Sequence, residues 1–341
     1  MTVVAGIDEL RAAVAAAAVV TPVGGRTHWE VGGPAPVGDD VLEAHAPGGI
    51  VTYDPADLTV TVGAGTTCAE LSAVLAAEGQ ECALDPADGA ATVGGVLATG
   101  LSGHRRLRHG PLRDRVLEVR FVAADGRVVK GGGPTVKNVS GYDLPRLLVG
   151  SLGTIGVIVQ TTLRCQPRAE TTEWFATEAD PFAVRRSTYR PSCIAWDGVR
   201  TLVLLEGIAA DVAAERAAIN ASTEPVAAPA WPAGSHRGRI SVRPSALREL
   251  APALDAAGAR FLAEVGVGTV HVATDDEATL AAARDAAARC GGWMLREAGA
   301  SGLDGFGRAL PNARLMERVR AAFDPSGKLS PGRLPLAAID D

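Results

Sequence analysis

The chain has 341 residues, 47% of them hydrophobic, and a net charge of −6. That length gives room for two domains with a substantial core. The acidic balance excludes the basic footprint of a nucleic-acid binder. The five cysteines, at 68, 82, 165, 193 and 290, form no C-x-x-C pair, which speaks against a disulfide framework, a zinc site or a cysteine-held iron–sulfur cluster. A reducing compartment suits them. The first residues lack the basic run of a leader peptide. The longest apolar run there, residues 12–20, is far short of the roughly 20 residues a membrane span needs.

In chain order, residues 8–18 read as an alanine-rich helix with acids in its first turn. Residues 19–23 read as a strand running into a glycine turn at Val23, Gly24, Gly25, Arg26, Thr27 and His28. The Arg26 side chain is placed either on a phosphate or in solvent. Strands are expected at 50–53 and 58–62, with a helix at 69–78. The link between them, Gly63-Ala64-Gly65-Thr66-Thr67-Cys68, has the layout of a dinucleotide fingerprint, with Asp85 downstream. Cys68 stands where a small residue belongs, and Asp85-Pro86 breaks the second strand, so an ordinary strand–turn–helix connection is preferred to a nicotinamide site.

Residues 89–103 hold five glycines, which suits backbone laid against a ligand rather than a helix that bears packing. Residues 104–110 add three arginines and two histidines, read as anion recognition in preference to a solvated loop. A hairpin turns at Asp125-Gly126. Then comes the stretch around which the chain is organised, residues 137–159. A glycine knot at Gly150, Gly153 and Gly156 leads into a β-branched strand, and small hydroxyls among glycines leave donors for an anion or a heterocycle edge. Pro167 marks a domain boundary. Beyond it, strand–helix–strand units predict an α+β domain of split βαβ type: strands at 201–206, 239–242, 268–273 and 293–296, helices at 211–221, 245–254 and 277–290, and a Pro/Ala loop around Trp231. A helix at 315–323 and a turn at 324–327 close the chain.

Residues 137–143, 150–156, 94–103, Phe323-Asp324-Pro325 and Ser330-Pro331-Gly332-Arg333 together resemble the PCMH-type FAD-binding domain of the vanillyl-alcohol-oxidase flavoprotein superfamily, and within it the FAD-binding subunits of glycolate oxidase complexes. The resemblance is strong over residues 20–166 and weak over 170–310. It implies an α+β fold: a PCMH-type FAD-binding domain of two α+β subdomains over residues 1–167, a smaller ferredoxin-like α+β cap over 168–310, and a helix and tail over 311–341 that pack back on the FAD domain.

It implies FAD held by the Val23–His28 turn, by Thr92, Gly94, Gly95, Thr99, Gly100, Ser102 and Gly103, by Asn138, Gly141, Tyr142 and Asp143, and by Gly150, Gly153, Thr154, Gly156 and Val157. Some members attach the flavin through a histidine or cysteine. His104 is the candidate, yet non-covalent FAD is expected. The implied function is electron transfer within a complex that oxidises a small 2-hydroxy acid such as glycolate, beside a sister FAD subunit and an iron–sulfur subunit. A cytoplasmic place is implied, with peripheral attachment to the inner face of the cell membrane left open.

Relatives carry a histidine-rich metal motif in the cap. Here no two cap histidines have ligand spacing, and His271 reads as a lone structural residue on an apolar strand, so no metal and no catalytic base are assigned. The alternatives are a stand-alone FAD-dependent 2-hydroxy-acid dehydrogenase, a nicotinamide enzyme, and a non-redox interaction subunit.

Overall fold

The computed structural model describes residues 6–133, 142–219, 221–308, 310 and 312–336. It divides into two units: Met1–Gly103 with Pro111–Arg168 and Ala309–Asp341, and His104–Gly110 with Ala169–Arg308.

In the first unit, helix α1 (Ile7–Ala16) leads into β1 (Val19–Val23), which runs parallel to β2 (Val41–His45). The chain's last segment joins them. Val20 N–H donates to Lys328 O and Ser330 N–H to Val20 O, at 2.9 and 2.8 Å. Lys328 is buried and its Nζ donates to Val14 O, Ala15 O and Ala17 O at 2.6, 3.1 and 3.2 Å. A cation thus satisfies the orphan carbonyls at the end of a helix that has no basic residue in its own last turn.

A second sheet has the order β3-β4-β8-β6-β7, formed by β3 (Ile50–Asp54), β4 (Thr59–Gly63), β6 (Val116–Val122), β7 (Val128–Gly132) and β8 (Val157–Arg164). All its pairings are antiparallel. β5 (Gln80–Glu81) pairs separately with β9 (Gln166–Pro167). Helix α2 (Cys68–Ala77) starts on a capping box of Thr67 and Glu70. The nicotinamide reading fails on direction: the strand after α2 does not return beside β4, whose neighbours β3 and β8 are both antiparallel to it. The glycine-rich 89–103 segment does contain a helix, α3 (Val93–Thr99). Thr92 caps it by accepting from Gly95 N–H, three apolar side chains are buried, and Gly100 ends it at φ 68°.

The second unit carries one eight-stranded antiparallel sheet. Two βαββαβ units build it. The first comprises β10 (Thr171–Thr177), helix Pro181–Ser187, β11 (Cys193–Trp196), β12 (Thr201–Gly207), helix Ala209–Ala218 and β13 (Glu224–Val226). The second comprises β14 (His236–Ser241), helix Leu247–Ala256, β15 (Arg260–Glu264), β16 (Thr269–Thr274), helix Glu277–Arg289 and β17 (Trp293–Ala298). The order β13-β10-β12-β11-β15-β16-β14-β17 is one ferredoxin-like sheet followed by its mirror in order, joined where β11 meets β15. A single ferredoxin-like cap is therefore too small a description.

The inward strand residues and the helices make one core, with Phe175, Ile194, Val203, Phe261, Val270 and Leu280 in it. The other face holds a small apolar cluster including Cys193, Leu204 and Leu262. Ser245 does not cap the helix after it; it lies in a 3-10 turn, Pro244–Ala246.

Replacing Lys328 by Met keeps the aliphatic stem and strands three carbonyls. A loss of about 2 kcal/mol of stability is expected. Urea unfolding measures it, and an unchanged midpoint would show that these carbonyls need no cation.

Candidate functional site

The glycine turn after β1 meets α3 and the turn at 150–153 in one cleft of the first unit. One lobe is lined by Gly24, Gly25, Arg26, Thr27 and His28, by Thr92, Gly95 and Thr99, and by Gly153, with Trp29, Leu152 and Arg333 completing it. The other lobe takes in Val23, Gly94, Gly156 and Val157. Pro22, Gly24, Thr92, Gly95, Ala98 and Gly153 belong to both. Most of the sequence-expected FAD residues thus share one cleft.

The convergence depends on missing side chains. A Cβ on Gly24 would strike Thr92 Oγ1, and one on Gly94 would lie 2.9 Å from the Ala64 side chain. Gly153 sits at φ 76°, and a Cβ there would come within 2.8 Å of Pro22 and 3.0 Å of Ser330 Oγ. Gly150 (φ 84°) and Leu152 donate to Leu97 O and Ala98 O at 2.9 and 2.8 Å, which ties this turn to the end of α3.

Other expected residues take different places. Gly100 packs on Gly150, and Gly103 packs on the Asp85 backbone. The Thr154 hydroxyl donates to Ser151 O inside its own turn. Asp143 accepts from Arg146 N–H and caps the helix Leu144–Leu148. Tyr142 is 89% exposed and does not line the cleft. Asn138 and Gly141 lie outside the described residues. Two buried hydroxyls, on Ser102 and Ser151, have no hydrogen-bond partner.

Arg26 is exposed at the lining of the cleft and pairs with an acidic neighbour. It stands at φ 56°, donates to Glu43 on β2, and its guanidinium lies 4.4 Å from the centre of the Trp29 ring. The Arg26 hydrogen bond holds the Glu43 carboxyl below the usual range. Across the turn, Arg333 Nη1 donates to Trp29 O and Gly33 O at 2.7 and 3.1 Å, so the tail braces the same loop.

The 104–110 segment is not an anion loop. It belongs to the second unit, where its cations meet a carboxylate of the protein itself. Arg105 Nη1 lies 3.3 Å from Glu206 Oε1, His109 Nε2 lies 3.7 Å from Glu206 Oε2, and Arg108 donates to Glu206 O. Burial pushes the Glu206 carboxyl up, but hydrogen bonds from His109 and Ser192 and the charge of Arg105 outweigh it and bring it down to about 2.

His271 is not alone either. Its Nε2 and His104 Nδ1 lie 3.7 and 3.6 Å from the same oxygen, Oε1 of Glu264. Glu264 is 2% exposed. Burial raises its carboxyl and the two imidazoles more than reverse that, leaving it below the usual range. Trp231 stacks on His104 at 3.8 Å and meets His271 edge-on at 4.1 Å. Both Glu264 oxygens, both His104 nitrogens and His271 Nε2 are buried without a hydrogen bond. No local spacing revealed this group, because its members come from three distant segments. Among the described residues no three His, Cys, Asp or Glu side chains are arranged to hold a metal ion. Among them also, no helix is long and apolar enough to cross a membrane.

Comparison with known proteins agrees with the cleft. Residues 3–132 match the FAD binding domain family. The glycolate oxidase subunit GlcE of Escherichia coli is 40% identical over 135 residues, covering 39% of this chain and 39% of that protein. The D-lactate dehydrogenase of Archaeoglobus fulgidus is 44% identical over 106 residues, 31% of this chain and 24% of that one. The glycolate oxidase subunit GlcD of Bacillus subtilis is 34% identical over 123 residues, 36% and 26%. The alignments thus span about two fifths or less of these relatives. An alkyldihydroxyacetonephosphate synthase structure matches 96% of this chain and 75% of its own with a TM-score of 0.69, at 14% identity, which establishes likeness of fold.

The cleft fits such a cofactor: backbone of Gly24, Gly25, Gly94, Gly95 and Gly153 lines it, so a ligand can approach closely.

Glu206→Gln tests the ion cluster. The carboxyl is depressed in the folded state, so its stabilisation is full above the ordinary carboxylate range and disappears as pH falls toward 2. The variant should unfold about 2 kcal/mol more easily at neutral pH, with the gap closing in acid. Thermal melts across pH show this, and a gap independent of pH would refute it.

Proposed function

We propose that this chain, whose residues 3–132 are an FAD binding domain, is the FAD-carrying subunit of an oxidoreductase complex that oxidises small 2-hydroxy acids of the glycolate or D-lactate type. One observation carries the reading: Gly24, Thr92–Gly95 and Gly153 converge on a single cleft from three separate segments. The names of the E. coli, B. subtilis and A. fulgidus relatives support the substrate class, and two of those names describe subunits. The partners are accordingly a sister flavin subunit and an iron–sulfur subunit, in the cytoplasm or against the inner face of the membrane.

FAD held in the cleft would supply the two-electron acceptor. The chain's part is to hold it. The Val23–His28 turn would offer backbone N–H groups to its phosphates, the start of α3, whose N–H groups are bonded to Thr66 O, Ala64 O and Thr92 Oγ1, would support it as close-lying backbone, and the Gly150–Gly156 turn would leave room for its ring. Arg333 and the Glu43-held Arg26 keep the first of these turns in shape. The FAD is non-covalent: His104, the tempting attachment point, has both ring nitrogens buried under Trp231 beside Glu264.

A second reading, in which the chain oxidises the hydroxy acid itself, is favoured by the Glu264 group. A buried carboxylate that orients two imidazoles is the equipment of a general base.

Purified alone, the chain should show flavin absorption that moves to the supernatant on acid precipitation. Gly153→Val should lower the flavin-to-protein ratio at least tenfold, because a β-branched residue at that φ forces the turn open. Normal flavin content in that variant would sink the placement. His271→Ala separates the two readings. With flavin content retained, turnover of the assembled complex within about twofold of wild type supports the electron carrier. A loss of about 100-fold supports the chain's own catalysis.

A further inference from the structure

The five cysteines are dispersed in sequence and all free, yet the β5–β9 pairing brings two of them face to face. The register pairs Gln80 with Pro167 and Glu81 with Gln166. The Gln166 side-chain amide donates to Glu81 at 2.9 Å across that rung. One further step sets Cys82 opposite Cys165.

The kind of position matters. Arg168 N–H donates to Gly79 O at 2.9 Å, so that rung is hydrogen-bonded. Rungs alternate, which makes Glu81/Gln166 a bonded rung and Gln80/Pro167 and Cys82/Cys165 non-bonded ones. Pro167 has no N–H to give. Cys165 N–H turns the other way, to Leu58 O at 2.7 Å. Residues facing each other at a non-bonded rung stand about 4.5 Å apart at Cα, inside the roughly 4.4–6.8 Å a disulfide requires.

We propose that Cys82 and Cys165 are an oxidation site that closes into a cross-strand disulfide, with a small-molecule disulfide as the oxidant. Cys82 is the half-buried member and reacts first; Cys165 is 1% exposed and resolves. The Cys82 thiolate attacks one sulfur of the small disulfide, whose S–S bond breaks and releases one thiol. Cys165, having given up its proton, attacks Cys82 in the mixed disulfide and releases the second thiol. Two protein S–H bonds are lost, one S–S bond forms, and the oxidant is reduced to two thiols.

Burial pushes both thiols up, Cys165 to about 11, and Cys165 adds to the rise at Cys82; only Arg115 draws Cys82 back. The exchange is therefore slow at neutral pH and belongs to sustained oxidation. Cys68 and Asp85 also face Cys82, so Cys68 is the rival partner. The bond would enclose residues 82–165, and with them α3 and the Gly150–Gly156 turn, two of the three segments that line the cleft.

The test uses the full-length, flavin-loaded chain with oxidised glutathione at mildly alkaline pH. Free thiols are then alkylated after denaturation, and the digest is mapped by mass spectrometry. The expected result is alkylation at Cys68, Cys193 and Cys290 only, with a linked Cys82–Cys165 peptide that dithiothreitol releases. Cys68→Ser should still form that link, and Cys82→Ser and Cys165→Ser should not. Five alkylated cysteines in the folded, oxidised wild type would overturn the proposal. So would a bond to Cys68, or glutathione retained on Cys82 without transfer to Cys165.

Discussion

Close approach of glycine backbone to its neighbours is the constraint on which the first unit depends. Gly24 lies against Thr92, Gly94 against Ala64, and Gly153 against Pro22 and Ser330. None of these approaches survives a Cβ without movement. The strands on either side can repack around a changed methyl group; these crossings cannot. The cleft is thus a product of what is absent from the side chains, while the polar groups around it (Arg26 on Glu43, Arg333 on the Trp29 carbonyl) serve to keep the loop where the glycines allow it to be.

The glycine turns were legible in the sequence because their cause is local. A residue held at φ 76° or 84° must be glycine or pay in strain, so Gly150 and Gly153 announce themselves. Strand direction is not local. The Gly63–Cys68 turn looked like a nucleotide fingerprint because strand, turn and helix are all present, and only the pairing of β4 with antiparallel neighbours shows otherwise. The helix α3 was hidden by its glycines, since propensity cannot register a threonine cap and a buried apolar side. The Glu264 group was invisible for a different reason. His104 precedes the cap in sequence, Trp231 sits in a Pro/Ala loop, and His271 looked solitary on its strand; the fold alone gathers them.

The second unit divides its labour between the faces of one sheet. Four helices and a continuous apolar core occupy one side. The other carries titratable groups, with Glu206 and Glu264 each surrounded by imidazoles or guanidinium. Desolvation offsets part of the attraction these carboxylates gain, and their carboxyls still lie below the usual range. They also give definition: Glu206 and Glu264 hold the 104–110 segment in one arrangement.

The bond from Lys328 to the end of α1 has a consequence for synthesis. A ribosome makes α1 and β1 before residues 328–330, which complete them. Between the two events the whole second unit emerges, and its strands pair only among themselves. The second unit is therefore able to fold on the nascent chain while the first still waits for residues 328–330. Until residues 328–330 follow, α1 ends in bare carbonyls and β1 has β2 alone beside it. The order of translation and the order of completion run opposite ways in this protein.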